Sequence, residues 1–210
     1  MDERSKWESR YTQAGEEPFY GREPSPFLVR SLHLLPPGGR CLDVGGGEGR
    51  NALFLAQRGW RVTVLDVAVA GVARAQRRAR AAGRRLNLLV ADTGGWPLRT
   101  PPSGWDLILL VNYHSRELLT AAPSLLCPGG ALLVEGFAQE QLALPSGGPR
   151  DPAILWHPNE MLKLVVNARG ERGALRVVWY EDRLVTGDDN PRHRGEKWVT
   201  RLVARRPPLV

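Results

Sequence analysis

A glycine-dense segment, residues 40–51, constrains the fold of this 210-residue chain more than any other part of its sequence. It runs from a short apolar stretch into Asp43, then through glycines at 45, 47 and 49, and then into residues typical of a helix. A strand, a tight turn and a helix amino terminus let a ligand approach the backbone closely, because glycine has no Cβ. The segment therefore predicts a ligand-binding loop.

The spacing of these glycines argues against two common nucleotide-binding loops. The dinucleotide motif G-x-G-x-x-G needs a third glycine at position 50, where this chain has Arg50. A Walker loop ends in Gly-Lys-Ser/Thr, and the segment has no such ending. NAD and ATP are therefore not the expected ligands.

Length and composition limit the number of domains, the cellular location, and the disulfide and metal sites to be expected. The length fits one domain with a sizeable core. No apolar run reaches transmembrane length, and the first residues lack the apolar region of a signal peptide, so we expect a cytoplasmic protein. Cys41 and Cys127 are too few for a disulfide framework, and no Cys/His cluster indicates zinc, so no metal site is expected.

The net charge of +7 comes almost entirely from arginine, since lysine occurs only at positions 6, 163 and 197. An acidic partner such as RNA is one interpretation, and a compositional preference for arginine is the other and the favoured one. The densest basic stretch, residues 74–85, alternates with alanine and predicts the solvated face of a helix.

Strand-like runs alternate with helix-like stretches in the first two thirds of the chain. The strand-like runs are 40–44, 61–65, 86–91, 106–111 and 131–134, and the helix-like stretches are 51–58, 69–82 and 116–126. Gly59 and Gly83 follow the first two helices as expected stops. Within the strand-like runs, apolar and polar residues do not alternate cleanly, which is typical of parallel strands covered on both faces. This pattern predicts an α/β protein with a doubly wound sheet.

The two ends of the chain follow other patterns. Ser5 and Glu8 fit a capping box, which predicts a helix that starts near Ser5 and has Trp7 and Tyr11 on one face. The second half predicts, in order, a long loop, a helix and an antiparallel strand pair at residues 139–151, 158–168, and 174–185 with 197–204.

Each strand-like run of the alternating region delivers polar groups to the same edge of the predicted sheet. The residues concerned are Asp43, Asp66, Asp92, Asn112 to His114, and Glu135. Ligands of open α/β sheets bind outside the carboxyl ends of the strands, so we expect a binding site at this edge.

Residues 7 to about 137 resemble the class I S-adenosylmethionine (SAM)-dependent methyltransferases, and within them the small bacterial enzymes of the tellurite-resistance type. The resemblance is carried by Trp-Glu-Ser-Arg-Tyr at 7–11, Leu-Asp-Val-Gly-Gly-Gly-Glu-Gly-Arg-Asn at 42–51, Val-Leu-Asp at 64–66, Trp-Asp-Leu-Ile-Leu-Leu at 105–110 and Pro-Gly-Gly-Ala-Leu-Leu-Val-Glu at 128–135. It implies SAM as cofactor and a Rossmann-like seven-stranded sheet in the order 3-2-1-4-5-7-6, with the last strand antiparallel and helices on both faces. Ala68 departs from the pattern, because relatives often carry a capping serine there.

On this basis residues 1–210 are expected to form a single methyltransferase domain. It would have a helical N-terminal cap (1–35), a SAM-binding core (40–137) and a substrate-side part with a loop, a helix and the final strand pair (138–210).

The polar groups at the strand ends suit the parts of SAM. Asp66 can accept hydrogen bonds from both ribose hydroxyls, although a cap on the next helix is its alternative role. Asp92 suits the adenine amino group and Asp43 the α-ammonium, while carboxylates and aromatic rings favour a sulfonium cation. The candidate cofactor-binding residues are Trp7, Tyr11, Asp43, Gly45, Gly46, Gly47, Arg50, Asn51, Asp66, Val67, Asp92, Thr93, Asn112 and Tyr113.

Methyl transfer is an in-line displacement at an activated carbon, so the protein mainly aligns the reactants and excludes water. A general base is needed only if the acceptor must lose a proton, and His114 and Glu135 are the catalytic candidates. A structural loop histidine is the alternative for His114, and a salt bridge to Arg116 or Arg150 is the alternative for Glu135.

Three functions fit these observations: a methyltransferase acting on a small molecule, one acting on RNA or protein through the basic surface, and a non-enzymatic SAM-binding protein. The sequence Asn-Tyr-His-Ser at 112–115 lacks the Asn/Asp-Pro-Pro-aromatic turn used for base-amino methylation. The basic stretch is expected on a sheet face that points away from the reacting edge. We therefore expect a small-molecule acceptor, no nucleic acid, no membrane, and a monomer or homodimer.

Overall fold

The structure, a computed structural model, describes residues 2–15, 17–92, 100–145, 147–170, 173–186 and 195–208. Its strands, in chain order, are β1 (Arg40–Val44), β2 (Arg61–Asp66), β3 (Asn87–Val90), β4 (Trp105–Val111), β5 (Leu126–Phe137), β6 (Arg176–Val185) and β7 (Lys197–Arg205). Its helices are α1 (Glu3–Gln13), α2 (Pro26–Arg30), α3 (Arg50–Ala56), α4 (Val69–Ala81), α5 (Arg116–Leu125) and α6 (Glu160–Asn167). Short 3₁₀ turns occupy Leu32–Leu34, Gln139–Ala143 and Pro152–Ile154.

These strands form one sheet in the order β3-β2-β1-β4-β5-β7-β6. The pairs from β3 to β5 are parallel, and β7 runs antiparallel to both β5 and β6. The predicted doubly wound sheet, its strand order and its antiparallel last strand are confirmed. All five parallel strands therefore end at the same edge, where the polar side chains were expected.

Alternate residues of β4 enter two separate cores because successive side chains of a strand point to opposite faces. Ile108 and Leu110 pack in a cluster with Leu119 of α5 and Met161 of α6. Leu107 and Leu109 pack in a second cluster that includes residues of α2 and α3. Helices therefore cover both faces of the centre of the sheet, as expected.

The two edge strands, β3 and β6, are less well covered than the centre of the sheet. Leu89 and Val90 of β3 are 38% and 42% exposed, and Trp179 of β6 is 46% exposed. Each edge strand has a hydrogen-bonded neighbour on one side only. The mostly apolar sequence of β3 did not reveal this difference, because apolar runs occur in both covered and edge strands.

Several predicted boundaries also need correction. α1 starts at Glu3 and not near Ser5, because Asp2 is its cap and accepts a hydrogen bond from the Ser5 amide at 2.7 Å. β5 starts at Leu126, five residues before the predicted run, and takes the Pro-Gly-Gly segment into the strand as an irregularity in its pairing with β4. The predicted loop after β5 opens with a 3₁₀ turn, so it is more ordered than a Pro- and Gly-rich composition indicates.

Among the described residues, no helix is long and apolar enough to cross a membrane. The same residues contain no cluster of three His, Cys, Asp or Glu side chains that could hold a metal ion. Cys41 and Cys127 are both free thiols.

Candidate active site

The glycine loop after β1 has a backbone that favours glycine. Gly45, Gly47 and Gly49 have φ angles of 65°, 52° and 72°, in the left-handed region. A Cβ on Gly45 would overlap the ring of Tyr113, and one on Gly47 would overlap the hydroxyl of Tyr11. The loop therefore needs glycine both for its conformation and for the close approach of two aromatic side chains.

Asp66 at the end of β2 fixes this loop. Its Oδ2 accepts a hydrogen bond from the Gly47 amide at 2.8 Å, and its Oδ1 accepts one from the Ala68 amide at 2.9 Å. Burial raises the pKa of Asp66, and these backbone hydrogen bonds partly oppose the rise. Asp66 therefore ties the glycine loop to Ala68, the residue that precedes α4. A carboxylate has about four acceptor positions, so these contacts do not exhaust its capacity for other donors.

Asp43 lies beneath the loop and is only 1% exposed. Burial raises the pKa of this carboxyl to about 7. Its Oδ2 is buried and has no hydrogen-bond partner within the described ranges, and a Cβ added to Gly46 would lie 3.0 Å from it. The site therefore contains a carboxylate that a nearby positive charge would stabilise.

Aromatic residues of the N-terminal segment cover the loop. The rings of Trp7 and Tyr11 stack with centroids 5.8 Å apart, which confirms their common helical face. Phe19 and Tyr20 extend the cluster, with centroid distances of 6.3 Å from Phe19 to Tyr11 and 6.1 Å from Tyr20 to Trp7. Tyr11 is 4% exposed, so α1 closes over the glycines.

The basic helix α4 is not simply a solvated face. Arg74 forms an ion pair with Glu48 and donates hydrogen bonds to the carbonyls of Gly15 and Glu17. Arg78 donates to the carbonyls of Glu48 and Arg22. These two arginines therefore hold the segment that covers the glycine loop, and the expectation that the whole stretch is solvated is corrected. Arg77, Arg80, Arg84 and Arg85 are exposed.

The turn after β4 brings two more candidates to the loop. Asn112 has a φ of 57°, and its amide donates to the Glu135 carbonyl at 2.8 Å. The centroid of the His114 ring lies 4.1 Å from that of Trp156, and the described part of the chain offers its buried Nε2 no hydrogen-bond partner. Burial, and then the charge of Arg116, lower the pKa of His114. The imidazole is therefore neutral at pH 7.

Glu135 is a buried partner of β7. Arg201 stands directly opposite it in the β5–β7 ladder, and the Arg201 Nε lies 3.4 Å from the Glu135 Oε2. That oxygen also accepts from the Ser25 hydroxyl at 2.8 Å. Glu135 therefore forms a salt bridge, as its alternative role required, but its partner is Arg201 and not Arg116 or Arg150. Arg116 instead pairs with Glu160.

A cleft of about 610 Å³ opens at this edge of the sheet and brings most of the candidates together. The candidates on its wall are Trp7, Tyr11, Gly45, Gly46, Gly47, Arg50, Asn51, Asp66, Val67, Asp92, Asn112, Tyr113 and His114. The carboxylates of Asp43 and Glu135 are not on the wall, and Thr93 lies outside the described residues. The volume is within the range of small-molecule sites.

Sequence reasoning missed several residues of the wall. Lys6, Arg10, Phe19, Tyr20, Arg78, Arg150 and Trp156 all line the cleft. Arg10 had a signal in the sequence, since it lies one helical turn from Trp7. Trp156 had no such signal, because it lies well after β5 in the sequence and reaches the cleft only through the tertiary fold.

The sheet order and the glycine loop are those that the resemblance to the class I methyltransferases implied. Residues 41–130 match the family model described as a methyltransferase domain. The matched residues include the glycine loop and strands β1 to β4.

Two curated relatives share part of the sequence. The tRNA 5-carboxymethoxyuridine methyltransferase of Escherichia coli (strain K12) is 35% identical over 105 residues, which cover 44% of this chain and 38% of that protein. The ribosomal RNA small subunit methyltransferase C of Alcanivorax borkumensis is 28% identical over 123 residues, 52% of this chain and 36% of that protein. The chain therefore spans well under half the length of the curated relatives it matches.

Solved structures share the fold over nearly the whole chain. TehB from Haemophilus influenzae has a TM-score of 0.67 at 15% identity, covering 97% of this chain and 66% of that one. Magnesium protoporphyrin IX methyltransferase from Synechocystis, solved with bound SAM, has a TM-score of 0.62 at 14% identity and covers 98% of both chains. At these identities the likeness establishes the fold.

Proposed function

We propose that this protein transfers a methyl group from SAM to a small-molecule acceptor. The observation that carries the proposal is the glycine loop and Asp66 on the wall of one cleft that also contains Tyr113 and His114. SAM supplies a methyl group already activated by its sulfonium. The chain itself needs to position both substrates and exclude water, which the aromatic cover of α1 suits.

The cleft fits the parts of SAM as follows. The backbone of Gly45 to Gly47 accommodates the methionine portion, and the remaining acceptor capacity of Asp66 suits the ribose hydroxyls. Asp92, at the end of β3, suits the adenine amino group. Asp43 lies beneath the loop with a pKa raised to about 7 by burial, and the α-ammonium, held through water, would favour its ionised form.

On the acceptor side, His114 is the preferred general base. Its unpartnered Nε2 and lowered pKa give a neutral imidazole that can take a proton from an O–H or N–H acceptor. Glu135 is disfavoured for this role because its carboxylate is held by Arg201 and Ser25.

An RNA acceptor is the second candidate. Two of the curated relatives are named as tRNA and ribosomal RNA methyltransferases. The structure also weakens the argument that α4 lies far from the reacting edge, because Arg78 lines the cleft. The exposed arginines of α4 are therefore near enough to be tested as a phosphate-binding surface.

Isothermal titration of the protein with S-adenosylhomocysteine, with NAD and ATP as controls, tests the cofactor. A screen of metabolite pools with radiolabelled SAM, run beside tRNA and ribosomal RNA, then tests the acceptor. Binding of NAD without any response to S-adenosylhomocysteine would refute the proposal. Labelling of RNA alone would replace the small-molecule acceptor with the second candidate. The single-domain organisation, the cytoplasmic location and the oligomeric state stay predictions.

A further inference from the structure

Arg10 differs from the other cations on the cleft wall in having no hydrogen-bond acceptor among the described residues. Lys6 pairs with Glu3 at 2.7 Å, and Arg50 and Arg78 donate to backbone carbonyls. Arg150 donates to the carbonyls of Gln141, Leu142 and Leu144. In the part of the chain that the structure describes, Arg10 makes neither an ion pair nor a hydrogen bond through its side chain, and its guanidinium lies over the Trp7 ring, 4.7 Å from the centroid.

The ring beneath Arg10 is itself held in place. The Trp7 Nε1 donates to the Glu3 carboxylate at 2.9 Å, and the same indole stacks against Tyr11. Glu3, Trp7 and Arg10 are spaced at i, i+4 and i+7, so they follow one face of α1. The guanidinium therefore lies on an oriented aromatic surface at the cleft, with its donors unused.

A guanidinium stacked on an aromatic ring keeps the donors of its plane available for a planar or tetrahedral anion. Carboxylate and phosphate groups match this fork with two parallel hydrogen bonds. The site is half-buried, so such a charge-assisted pair is less screened than one at the open surface.

We propose that Arg10 and Trp7 form a subsite for an anionic group, a carboxylate or phosphate, of the small-molecule methyl acceptor. This inference rests on the proposed function, because it assigns the acceptor half of the same cleft. The acceptor would be an anion that α1 holds at the cleft. His114 and Trp156 form another part of the cleft wall.

The methionine carboxylate of the cofactor has the same chemistry as such an acceptor, so the test must separate the two. S-adenosylhomocysteine carries that carboxylate, whereas methylthioadenosine lacks the amino-acid part. We expect the Arg10→Gln variant to bind both ligands as tightly as the wild type. A loss of affinity for S-adenosylhomocysteine alone would assign Arg10 to the cofactor and overturn the proposal.

The anion is then tested directly on the protein saturated with S-adenosylhomocysteine. Fluorobenzoate and fluorophenyl phosphate are titrated by ligand-observed fluorine NMR, with fluorobenzamide as the uncharged control. We expect the anions to bind the wild type and Arg10→Gln to bind them about tenfold more weakly, the scale of a lost charge-assisted pair. Arg4→Gln, an exposed change on the same helix outside the cleft wall, should bind them as the wild type does.

Equal anion affinity in Arg10→Gln and the wild type would overturn the subsite. Equal binding of the anions and fluorobenzamide would do so as well. A wild type that does not bind S-adenosylhomocysteine would instead refute the proposed function, so the two failures are distinguishable.

Discussion

Glu8 of α1 accepts hydrogen bonds from the backbone amide of Ala70 in the first turn of α4, with both carboxylate oxygens 3.1 Å from the nitrogen. α4 begins after Ala68, whose side chain cannot cap a helix. Glu8 thus supplies, from another helix, an acceptor that position 68 lacks. A negative charge at this helix end is also favourable. The contact ties the helix that covers the cleft to the helix beside the glycine loop.

Replacing Glu8 with alanine should loosen this cover. We expect the free energy of unfolding to fall by about 1 kcal/mol, the usual cost of a lost cap. The affinity for S-adenosylhomocysteine should fall as well, because α1 carries Trp7 and Tyr11 over the loop. Calorimetric titration and chemical denaturation measure the two effects. Glu8→Gln keeps an acceptor oxygen and should lie between the wild type and Glu8→Ala. Normal ligand affinity in Glu8→Ala would mean that α1 is ordinary packing.

Asp66→Asn should weaken cofactor binding while preserving the fold. Asparagine keeps one acceptor oxygen for the amides of Gly47 and Ala68, whereas alanine would leave both amides without a partner. The loss of charge-assisted hydrogen bonds to the ribose should reduce the affinity for S-adenosylhomocysteine about tenfold or more. Titration calorimetry, with circular dichroism as the check on folding, measures this. Unchanged affinity in the folded variant would limit Asp66 to its structural role.

The buried carboxyl of Asp43 should make stability depend on pH. Its pKa is raised to about 7 in the folded state, so the folded protein holds this proton at pH values where the unfolded chain has lost it. Stability from this group is full below the unfolded pKa and is lost as pH rises towards 7, at about 1.4 kcal/mol for each unit of pKa difference. We expect the stability of Asp43→Asn relative to the wild type to increase from about pH 4 to pH 7 and then to level off, as measured by denaturant unfolding. A difference between the two proteins that does not change with pH would contradict this account.

His114 should titrate below its ordinary range. Burial is the main cause and the charge of Arg116 the second, so Arg116→Gln should raise the pKa of His114 without restoring it fully. NMR titration of the imidazole C–H signals measures both values. If His114 is the general base, methyl transfer to an identified acceptor should decline as pH falls through this pKa. His114→Gln should then lower the rate by about 10²–10⁴-fold. A full rate in His114→Gln would leave His114 with a structural role only.

The exposed arginines of the basic stretch, residues 74–85, separate the two acceptor classes. Arg78 is unsuitable for this test because it donates to the carbonyls of Glu48 and Arg22. The triple variant Arg77→Gln, Arg80→Gln and Arg84→Gln changes only exposed side chains. We expect it to methylate the small-molecule acceptor at the wild-type rate, and any weak RNA binding of the wild type to fade with added salt. Loss of methyl transfer to a defined RNA, with cofactor affinity intact, would identify a nucleic-acid acceptor.

The sequence was sufficient for the parts of the site that depend on local patterns. The positive-φ glycines of the loop, the helix stops at Gly59 and Gly83, and the carboxylate at Asp66 each follow from a short segment whose conformation or position is set by its own residues. The alternation of strands and helices then brought the strand ends to one edge, because parallel strands share a direction.

The tertiary structure alone decided which side chains meet across long separations in the chain. Arg201 pairs with Glu135 because β7 lies antiparallel beside β5, and no local pattern connects residues so far apart. Arg74 and Arg78 hold the N-terminal segment in place, although their spacing resembles that of any solvated basic helix. The contact between Trp156 and His114 likewise joins residues far apart in the sequence, so no local pattern predicts it. Local periodicity encodes the direction of a side chain relative to its own element, whereas its partner depends on how the elements pack.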